Sequence, residues 1–325
     1  MRIAVNLSIV PVLMVCFMVD AASAADSVFP ARPIRFMVPF PAGGGADILA
    51  RAIGQKMSET LRQQIVIDNR PGAAGVVGTD IAAKAAPDGY TMLMLSSNLA
   101  ILEGAGGQRP YDLTRDLQAV SMIAVAPNVL IVHPAMPVKS VPDLISHAKA
   151  QPGKLHFASN GVGSSSHLSA ELFKAMAGVS MVHVPYKGGP PGVTATIAGE
   201  TQLMFSAILH VLPQAKAGRV RALAVTGRMR SQAAPQLPTL AESGLAGYDS
   251  IQWWLLMVPA ATPTTVVTRL QGALHGALAA ADLKERLSGQ GAEPRTGTSE
   301  EGALYLTAEI AKWGKIVKTA GIKLD

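Results

Sequence analysis

The sequence predicts an α/β protein of two lobes, each a mostly parallel sheet covered by helices. Strand and helix patterns alternate in the first third of the 325-residue chain and alternate again after residue 150. This order of elements predicts parallel sheets with helices on both faces. Two long apolar segments, 120–133 and 251–258, separate these regions, and we expect them to be extended crossovers between the lobes.

Residues 1–24 have the pattern of a secretory signal peptide. The segment opens with a basic residue, continues with an apolar run over 9–19 and ends in Ala-Ser-Ala, so we expect cleavage after Ala24. The apolar run is shorter than the roughly 20 residues that cross a bilayer, and Asp20 interrupts it. We therefore expect an exported, soluble mature protein.

The single cysteine, Cys16, belongs to this segment, so the mature chain has none. Disulfide bonds, thiolate chemistry and a cysteine-based zinc site are thereby excluded. Exported eukaryotic proteins of this size usually carry disulfides, and a cysteine-free exported chain fits the periplasm of a Gram-negative bacterium better.

The charge balance favours small anionic ligands. The chain carries 28 Lys and Arg against 22 Asp and Glu, a net charge of +6, and cleavage removes one base and one acid. The basic residues are scattered and few aromatic residues accompany them, which argues against a nucleic-acid surface. A mild positive field instead attracts small anions.

The first strand and helix predict an anion site. Apolar alternation over 34–38 indicates a strand, and Leu49, Ile53, Met57 and Leu61 mark one face of a helix. Two prolines and three consecutive glycines lie between them. The first N–H groups of a helix lack partners within it, and the helix dipole places partial positive charge there. A phosphate or a carboxylate can bind at such a turn.

The other elements follow the same order, with turns expected at the carboxyl ends of the strands, where ligands gather. In the first lobe we predict strands at 64–68 and 90–97, and a glycine-rich turn at 69–79 that enters a helix ending at Lys84. In the second lobe we predict helices at 138–150 and 168–176, strands at 154–159, 179–185, 202–205 and 220–225, turns at 160–167 and 186–191, and a loop at 226–249. Helices at 263–287 and 299–320 are expected to pack back on the first lobe, so lobe 1 is 25–125 plus 250–325 and lobe 2 is 126–249.

Polar residues in the glycine-rich turns have more than one possible role. Asp47 either caps its helix or contacts a ligand amine, because its carboxylate opposes an anion bound at the same helix start. Ser164, Ser165 and Ser166 open another helix, where one hydroxyl is expected to cap the helix and the others can donate to a carboxylate.

Other side chains also have competing interpretations. His167 beside three serines suggests a hydrolase, but the chain has no Gly-x-Ser-x-Gly segment, and adjacent residues at a helix start do not place a hydroxyl against an imidazole. The neighbouring histidines match no compact metal-ligand spacing. Lys187 either pairs with an anionic solute or is a solvated loop lysine. Of Trp253 and Trp254, one is expected in the hinge core and the other toward the cleft.

Eight segments carry a resemblance to a known family. They are 38–45 (VPFPAGGG) with Asp47, 68–72, 86–91, 111–112, 164–168, 183–188, 218–226 and 308–313. In this order, over essentially the whole mature chain, they closely resemble the Bug family, the periplasmic substrate-binding proteins of tripartite tricarboxylate transporters.

The resemblance implies a two-lobed periplasmic-binding-protein fold, the Venus flytrap of type II-like topology, with two hinge crossovers. It implies that two loops hold one solute carboxylate as pincers, through backbone N–H groups, hydroxyls and bridging waters. These loops correspond to Phe40, Pro41, Ala42, Gly43 and Gly44 in lobe 1 and to Ser164, Ser165 and Ser166 in lobe 2. Ala73, Ala74, Gly75 and Ser96 are expected to line the same cleft, and Asp47, Tyr186 and Lys187 complete the candidate ligand-binding residues. No catalytic residue, metal or cofactor is implied.

The implied function is capture of a small carboxylate solute by a monomer, for a membrane permease of the tripartite tricarboxylate type or for a sensor protein. In many members of the family a Thr occupies the position of Ala46. Many also have an acidic residue, which can bind a ligand amine, around the positions of Gln202 or Ser206. Neither Gln202 nor Ser206 is acidic, which favours a mono- or dicarboxylate with an uncharged tail over an amino acid. The alternative function is a secreted α/β hydrolase that uses the region 164–167.

Overall fold

The computed structural model describes residues 29–106, 109–289 and 291–320. The predicted signal peptide, residues 1–24, lies outside the described residues. In the described ranges no helix is both long enough and apolar enough to span a bilayer.

The first part of the chain forms three parallel strands and three helices. The predicted apolar face of the first helix is confirmed, because Leu49, Ile53, Met57 and Leu61 are buried. The third helix is absent from the prediction, since only eight residues form it directly after a strand. The elements are β1 (Ile34–Val38), α1 (Gly45–Leu61), β2 (Ile65–Asn69), a 3₁₀ turn at Ala73–Gly75, α2 (Val76–Ala83), β3 (Thr91–Ser96) and α3 (Ser97–Gly104).

The second part repeats the alternation after one long strand. Of the predicted apolar face of α5, Leu168 and Leu172 are buried as expected. Met176, in the last turn, is 38% exposed, so its predicted burial is wrong. The helices α6 and α7 are absent from the prediction because prolines in the first turn of α6 and within α7 obscure the helical pattern. The elements are β4 (Leu117–Val132), α4 (Val141–Ala150), β5 (His156–Ser159), α5 (Ser165–Ala177), β6 (Val182–Pro185), α6 (Gly189–Ala198), β7 (Leu203–Ala207), α7 (Ile208–Lys216) and β8 (Arg221–Val225).

The last part returns to the first sheet half. The single helix predicted over 263–287 is two helices, because the backbone of Ala280 is extended and ends the first of them. The helix predicted over 299–320 is confirmed. The elements are β9 (Ile251–Pro259), α8 (Thr264–Ala279), α9 (Ala281–Gly289), β10 (Glu293–Pro294) and α10 (Ser299–Ala320).

The predicted crossovers β4 and β9 are extended, and they also pair with each other as strands of one sheet. The strand order is β2-β1-β3-β9-β4-β7-β5-β6, with β8 and β10 also paired to β4. The first half of β4, 117–127, runs antiparallel to β9. Its second half, 128–132, runs antiparallel to β7 and β8. The strand β4 therefore belongs to both halves of the sheet.

The strand directions bring two sets of carboxyl ends face to face. The strand β3 is antiparallel to β9, and β9 is antiparallel to β4, so β1 and β3 point toward the second half of β4. The strand β7 is antiparallel to β4, so β5, β6 and β7 point back toward its first half. The helices that follow β1, β3, β5 and β7 consequently begin on opposite sides of the middle of β4.

The strand register gives the offset between these ends along β4. Ser96 ends β3 and lies opposite Trp254, which lies opposite Ala124 of β4. Ala207 ends β7 and lies opposite Asn128 of β4. Four residues separate the two levels on β4, a rise of about 13 Å along the strand at roughly 3.3 Å per residue. The two sets of carboxyl ends therefore stop short of each other at the middle of β4.

Candidate solute-binding site

The loop after β1 places the start of α1 in the cleft. Gly44 is the N-cap residue and has no side chain to cap the helix. Asp47, in the first turn, reaches back and accepts hydrogen bonds from the Gly43 N–H at 2.9 Å and from Arg51 Nε at 2.9 Å. The expectation that Asp47 is the N-cap is wrong, because Gly44 takes that position; Asp47 lies in the first turn and ties the preceding loop to it. The N–H groups of Gly45 and Ala46 have no acceptor among the described residues.

The Asp47 carboxylate is buried and paired. Burial acts to raise its pKa, but the hydrogen bonds from Arg51 and from the Gly43 N–H outweigh burial, so the pKa lies below its usual value. The negative charge is thus offset by Arg51, which weakens its repulsion of an anion at the same helix start. The second oxygen, Oδ1, is buried without a partner among the described residues.

The turn at Ala73–Gly75 is strained and touches this loop. Ala73 and Ala74 have φ of 44° and 54°, a left-handed conformation that costs an alanine about 1–2 kcal/mol. Strain of this kind concentrates at functional sites. A Cβ added to Gly75 lies 3.3 Å from the Phe40 ring and 3.3 Å from Leu99 of α3. The first loop, this turn and the first turn of α3 are therefore neighbours.

The loop after β5 places the start of α5 on the other side of the cleft. Ser164 caps α5, since its Oγ accepts the His167 N–H at 3.3 Å and donates to the Gly161 carbonyl at 2.7 Å. The Ser166 hydroxyl donates to the Phe205 carbonyl of β7. These two hydroxyls stabilise the fold. The Ser165 hydroxyl and the N–H groups of Ser165 and Ser166 have no such partner among the described residues.

Two stacked histidines are linked to the backbone of the loop after β5 by hydrogen bonds. The His167 Nδ1 accepts the Gly163 N–H at 3.2 Å, and the His167 ring stacks on His183 with centroids 3.9 Å apart. The His183 Nε2 lies 2.6 Å from Ser159 Oγ, which also accepts the Gly161 N–H at 3.0 Å. The loop backbone is thus tied to both rings.

Both rings are uncharged at neutral pH. Burial, with a further contribution from the Lys174 charge, lowers the pKa of His167 to about 4. Burial, followed by the neighbouring His167, lowers the pKa of His183 to about 4. A neutral His167 is required for Nδ1 to accept a hydrogen bond.

The hydrolase alternative lacks its geometry at this helix start. In the described residues no hydrogen bond joins the His167 imidazole to the hydroxyl of Ser164, Ser165 or Ser166; Ser164 Oγ meets the backbone N–H of His167 instead. The Glu171 carboxylate lies 3.7 Å from His167 Nε2. The arrangement orients a loop and does not activate one of these serines.

Tyr186 and Lys187 follow β6, and Tyr186 contacts the loop after β5 through its backbone. The Tyr186 N–H donates to the Ser159 carbonyl at 3.0 Å, and the Tyr186 hydroxyl donates to Glu200 Oε2 at 3.3 Å. Lys187 is exposed and makes no ion pair in the described part of the chain. Within 29–106, 109–289 and 291–320, no group of three or more His, Cys, Asp or Glu side chains can hold a metal ion.

Several buried polar atoms without a partner among the described residues lie at the same strand ends, and of their residues only Ser96, Ser206 and Trp254 are singled out by the sequence. An unpaired buried polar group costs about 1–3 kcal/mol, so each such atom marks a place for a further partner. Ser97 and Asn98 are recognisable only as polar residues at the end of an apolar strand, and Asn160 and His210 carry no signal in the sequence. The buried atoms without a partner here are Ser96 Oγ, Ser97 Oγ, Asn98 Oδ1, Asn160 Oδ1, Ser206 Oγ, His210 Nδ1 and Trp254 Nε1.

The two tryptophans of β9 differ as predicted for strand neighbours. Trp253 Nε1 donates to the buried Glu309 at 2.9 Å, within the core beside α10. Trp254 lies on the opposite face, where its Nε1 has no acceptor among the described residues. Four cavities of about 320 to 660 Å³ are lined by other residues, so the site is defined by strand ends and helix starts.

Two α/β halves joined by β4 and β9, with unpaired helix starts facing each other between them, define a bilobal solute receptor of the periplasmic-binding-protein class. The family model of the tripartite tricarboxylate transporter family receptor matches residues 49–322, and the chain belongs to this family. The resemblance and the fold class predicted from the sequence are thereby confirmed. The receptors of this family are periplasmic.

Individual relatives cover nearly the whole chain. Protein BugT of Bordetella pertussis is 36% identical over 306 residues, which are 94% of each chain. The structure of R. palustris Rpa4515 with adipate has a TM-score of 0.80 at 38% identity, covering 90% of this chain and 99% of that one. The structure of MatC from Rhodopseudomonas palustris with bound malate has a TM-score of 0.75 at 29% identity, covering 89% and 100%.

Proposed function

We propose that this protein is a periplasmic receptor that captures a small carboxylate between two lobes for a tripartite tricarboxylate-type uptake system. The observation that carries the proposal is the pair of unpaired helix starts, those of α1 and α5, on facing sides of the cleft. Each start offers backbone N–H donors and a partial positive charge. Adipate in Rpa4515 and malate in MatC, both carboxylates, support the class of solute.

Capture uses donors from both lobes. Lobe 1 (25–125 plus 250–325) contributes the N–H groups of Gly45 and Ala46, and lobe 2 (126–249) contributes those of Ser165 and Ser166 together with the Ser165 hydroxyl. Because β4 and β9 connect the lobes, rotation about them closes the cleft on the solute. Closure removes water, which strengthens each charge-assisted hydrogen bond. The other predicted contacts, 40–44, 73–75, Ser96, Tyr186 and Lys187, remain candidates around this centre.

The wider assignment follows from this binding role. The protein performs no covalent chemistry on its solute and acts as a monomer. Residues 1–24 direct export and are removed. The loaded receptor delivers its solute to a membrane permease of the tripartite tricarboxylate type, or presents it to a sensor protein that shares the same ligand.

A thermal-shift screen tests the proposal. The mature protein from Ala25, refolded to strip carried-over solute, is mixed with citrate, succinate, malate, adipate, aspartate, glutamate, nicotinate and aromatic acids, with neutral amides as controls. An acid at about 100 times its Kd raises the free energy of unfolding by roughly 2.7 kcal/mol. Equal shifts with acid and amide, or none with any acid, contradict the proposal. Ester turnover that Ser165→Ala abolishes would establish the hydrolase instead.

A further inference from the structure

We infer that a cavity between the two halves, separate from the solute cleft, binds an α-amino acid with a large apolar side chain. The cavity has a volume of about 660 Å³, and none of the candidate solute-binding residues lines it. Its charged groups and its apolar surface together match a free amino acid.

Both halves of the molecule form this cavity. Pro127 of β4 lies opposite Ile251 of β9, and both residues line the cavity. Ile251 shares a strand face with Trp253, two residues further on, whereas Trp254 lies on the other face. The remaining walls are β10 and α10 from lobe 1 and the loop 227–231 from lobe 2. The cavity therefore lies against β4 and β9, on the face opposite Trp254.

Most of the charged side chains that line the cavity are already paired. Glu293 and Arg295 are the exceptions, since neither forms an ion pair within the described ranges, with each other or with another residue. One acid and one base are thus available to a ligand. The existing pairs are Arg228–Asp249 at 3.0 Å, Arg230–Glu242 at 2.9 Å, Lys312–Glu309 at 2.5 Å and Lys312–Asp249 at 3.8 Å.

Glu293 and Arg295 lie side by side along one strand. Glu293 pairs with Val125 of β4, and the Arg295 N–H donates to the Ile123 carbonyl at 3.0 Å, so the pairing of β10 continues to Arg295. Side chains two residues apart on a strand share one face and are about 6.6 Å apart. An ammonium and a carboxylate attached to one carbon atom can therefore contact Glu293 and Arg295 at the same time.

The Arg295 guanidinium is positioned to bind a carboxylate. It lies 5.6 Å from the centroid of the Tyr305 ring, and this ring is itself in edge contact with Trp253 at 5.5 Å. The electrons of an aromatic face attract a cation, which restricts the motion of the guanidinium. A planar guanidinium binds a carboxylate through two parallel hydrogen bonds. Arg295 therefore supplies the contact for the acid group of the ligand.

Two carboxylates of the cavity can accept the ammonium group. Glu293 Oε1 accepts the Ser231 hydroxyl at 3.0 Å and the Gln232 N–H at 3.1 Å, which fix this carboxylate but bring no positive charge. Asp249 Oδ1 is buried without a partner among the described residues. An ammonium group has three N–H donors and one positive charge. It supplies the donors and the charge that these oxygens lack.

The uncharged part of the cavity fits an apolar side chain. Pro127 and Ile251 contribute its floor, and Met229 lines it while remaining 80% exposed. Methionine is flexible and adapts to irregular apolar shapes. A ligand with an ammonium, a carboxylate and an apolar group on one carbon atom therefore uses every part of the lining. Leucine, methionine and phenylalanine have this structure.

Calorimetric titration of the stripped mature protein with these three amino acids tests the inference. The tightest of them is compared with its amide, which lacks the carboxylate, with its N-acetyl derivative, which lacks the ammonium, and with glycine, which lacks the side chain. We expect one equivalent of the amino acid to bind, at least tenfold more tightly than each analogue. Arg295→Gln and Glu293→Gln each remove one charge at nearly constant size and should each weaken binding at least tenfold.

Two controls separate this site from the cleft and from a loss of folding. Arg269→Gln removes a charge from the exposed face of α8, so its Kd should stay within twofold of the wild type and all variants should have similar melting temperatures. With the cleft saturated by the tightest acid of the thermal-shift screen, one equivalent of amino acid should still bind. Displacement by the acid, equal affinity for the analogues, an unchanged Kd in both cavity variants or no binding would overturn the inference. Failure of every acid to bind overturns the proposed function alone.

Discussion

His167, which is buried, and His183, which is half-buried, form a stacked pair of uncharged rings next to the predicted pincer loop. The loop backbone depends on them, since Gly163 donates to His167 and Ser159 joins His183 to Gly161. A proton on either ring places positive charge in a poorly solvated stack that also faces Lys174, while Glu171 offers partial compensation. A proton on His167 Nδ1 also removes the acceptor of the Gly163 N–H.

Acid should therefore destabilise the protein through these rings. Their pKa is about 4 in the folded state and about 6.5 in an unfolded chain. The unfolded state then binds more protons between pH 6.5 and 4, so the free energy of unfolding falls as the pH falls through this window. Urea unfolding of the wild type at pH 7, 6, 5 and 4 measures this slope.

His167→Asn is the informative variant for this slope. The asparagine Oδ1 can accept the Gly163 N–H but does not titrate, so we expect a pH dependence about half as steep as in the wild type. His147→Asn, on the surface helix α4, serves as the control and should leave the wild-type slope unchanged. A wild-type stability that is flat from pH 7 to 4 would contradict the buried, neutral state of the pair.

The sequence predicts which segments contain polar site residues better than it predicts their individual roles. Ser164, Ser165 and Ser166 are recognisable as a helix start, but the use of the Ser166 hydroxyl depends on Phe205, 39 residues away. The sequence suggests Asp47 as a cap or a ligand contact, whereas the structure pairs it with Arg51, four residues on, a spacing that a local pattern does contain. A contact between distant segments decides the role of Ser166, and a local pattern does not contain that contact.

At the scale of elements, solute capture depends on the free N–H groups of helix starts. Gly45→Pro removes one of these N–H groups at the first position of α1, where proline fits a helix. The preceding Gly44 is already extended, as proline requires of the residue before it. Apart from the neighbouring residues and the backbone of α1 itself, no heavy atom of the described residues lies within 4 Å of a Cβ added at Gly45. We expect about tenfold weaker carboxylate binding from the loss of one charge-assisted hydrogen bond.

Gly45→Ala is the matched control for this variant. It adds the same Cβ and keeps the N–H, so its Kd should stay within twofold of the wild type, and both variants should have similar melting temperatures. Calorimetric titration with the tightest acid of the thermal-shift screen gives both constants. Equal Kd values for Gly45→Pro and Gly45→Ala would remove the α1 start from the site.

The elements that were predicted correctly are those with a clear period. The apolar face of α1 and the full extent of α10 were identified because their apolar residues recur at helical spacing over many turns. The helices α3, α6 and α7 were missed because they are short; α3 and α7 follow strands directly, and α6 and α7 contain proline. Length and proline placement thus limit what periodicity can detect.

At the scale of the whole molecule, the two sheet halves are joined by more than β4 and β9. Trp313 of α10 packs with Ile101 of α3 and Leu168 of α5, so one buried apolar cluster spans both halves. The alternation of elements predicts two α/β units, whereas the pairing of β4 with β9 into one sheet depends on register. That register sets the cleft at Ala124 and Asn128, and no local pattern contains it.

Capture requires the two halves to close on a carboxylate. Small-angle X-ray scattering of the stripped mature protein, titrated with its tightest acid and with the matched amide, measures closure directly. We expect a radius of gyration that falls and saturates at one equivalent of acid, with no change for the amide. Acid binding with an unchanged radius, or equal compaction by the amide, would contradict it.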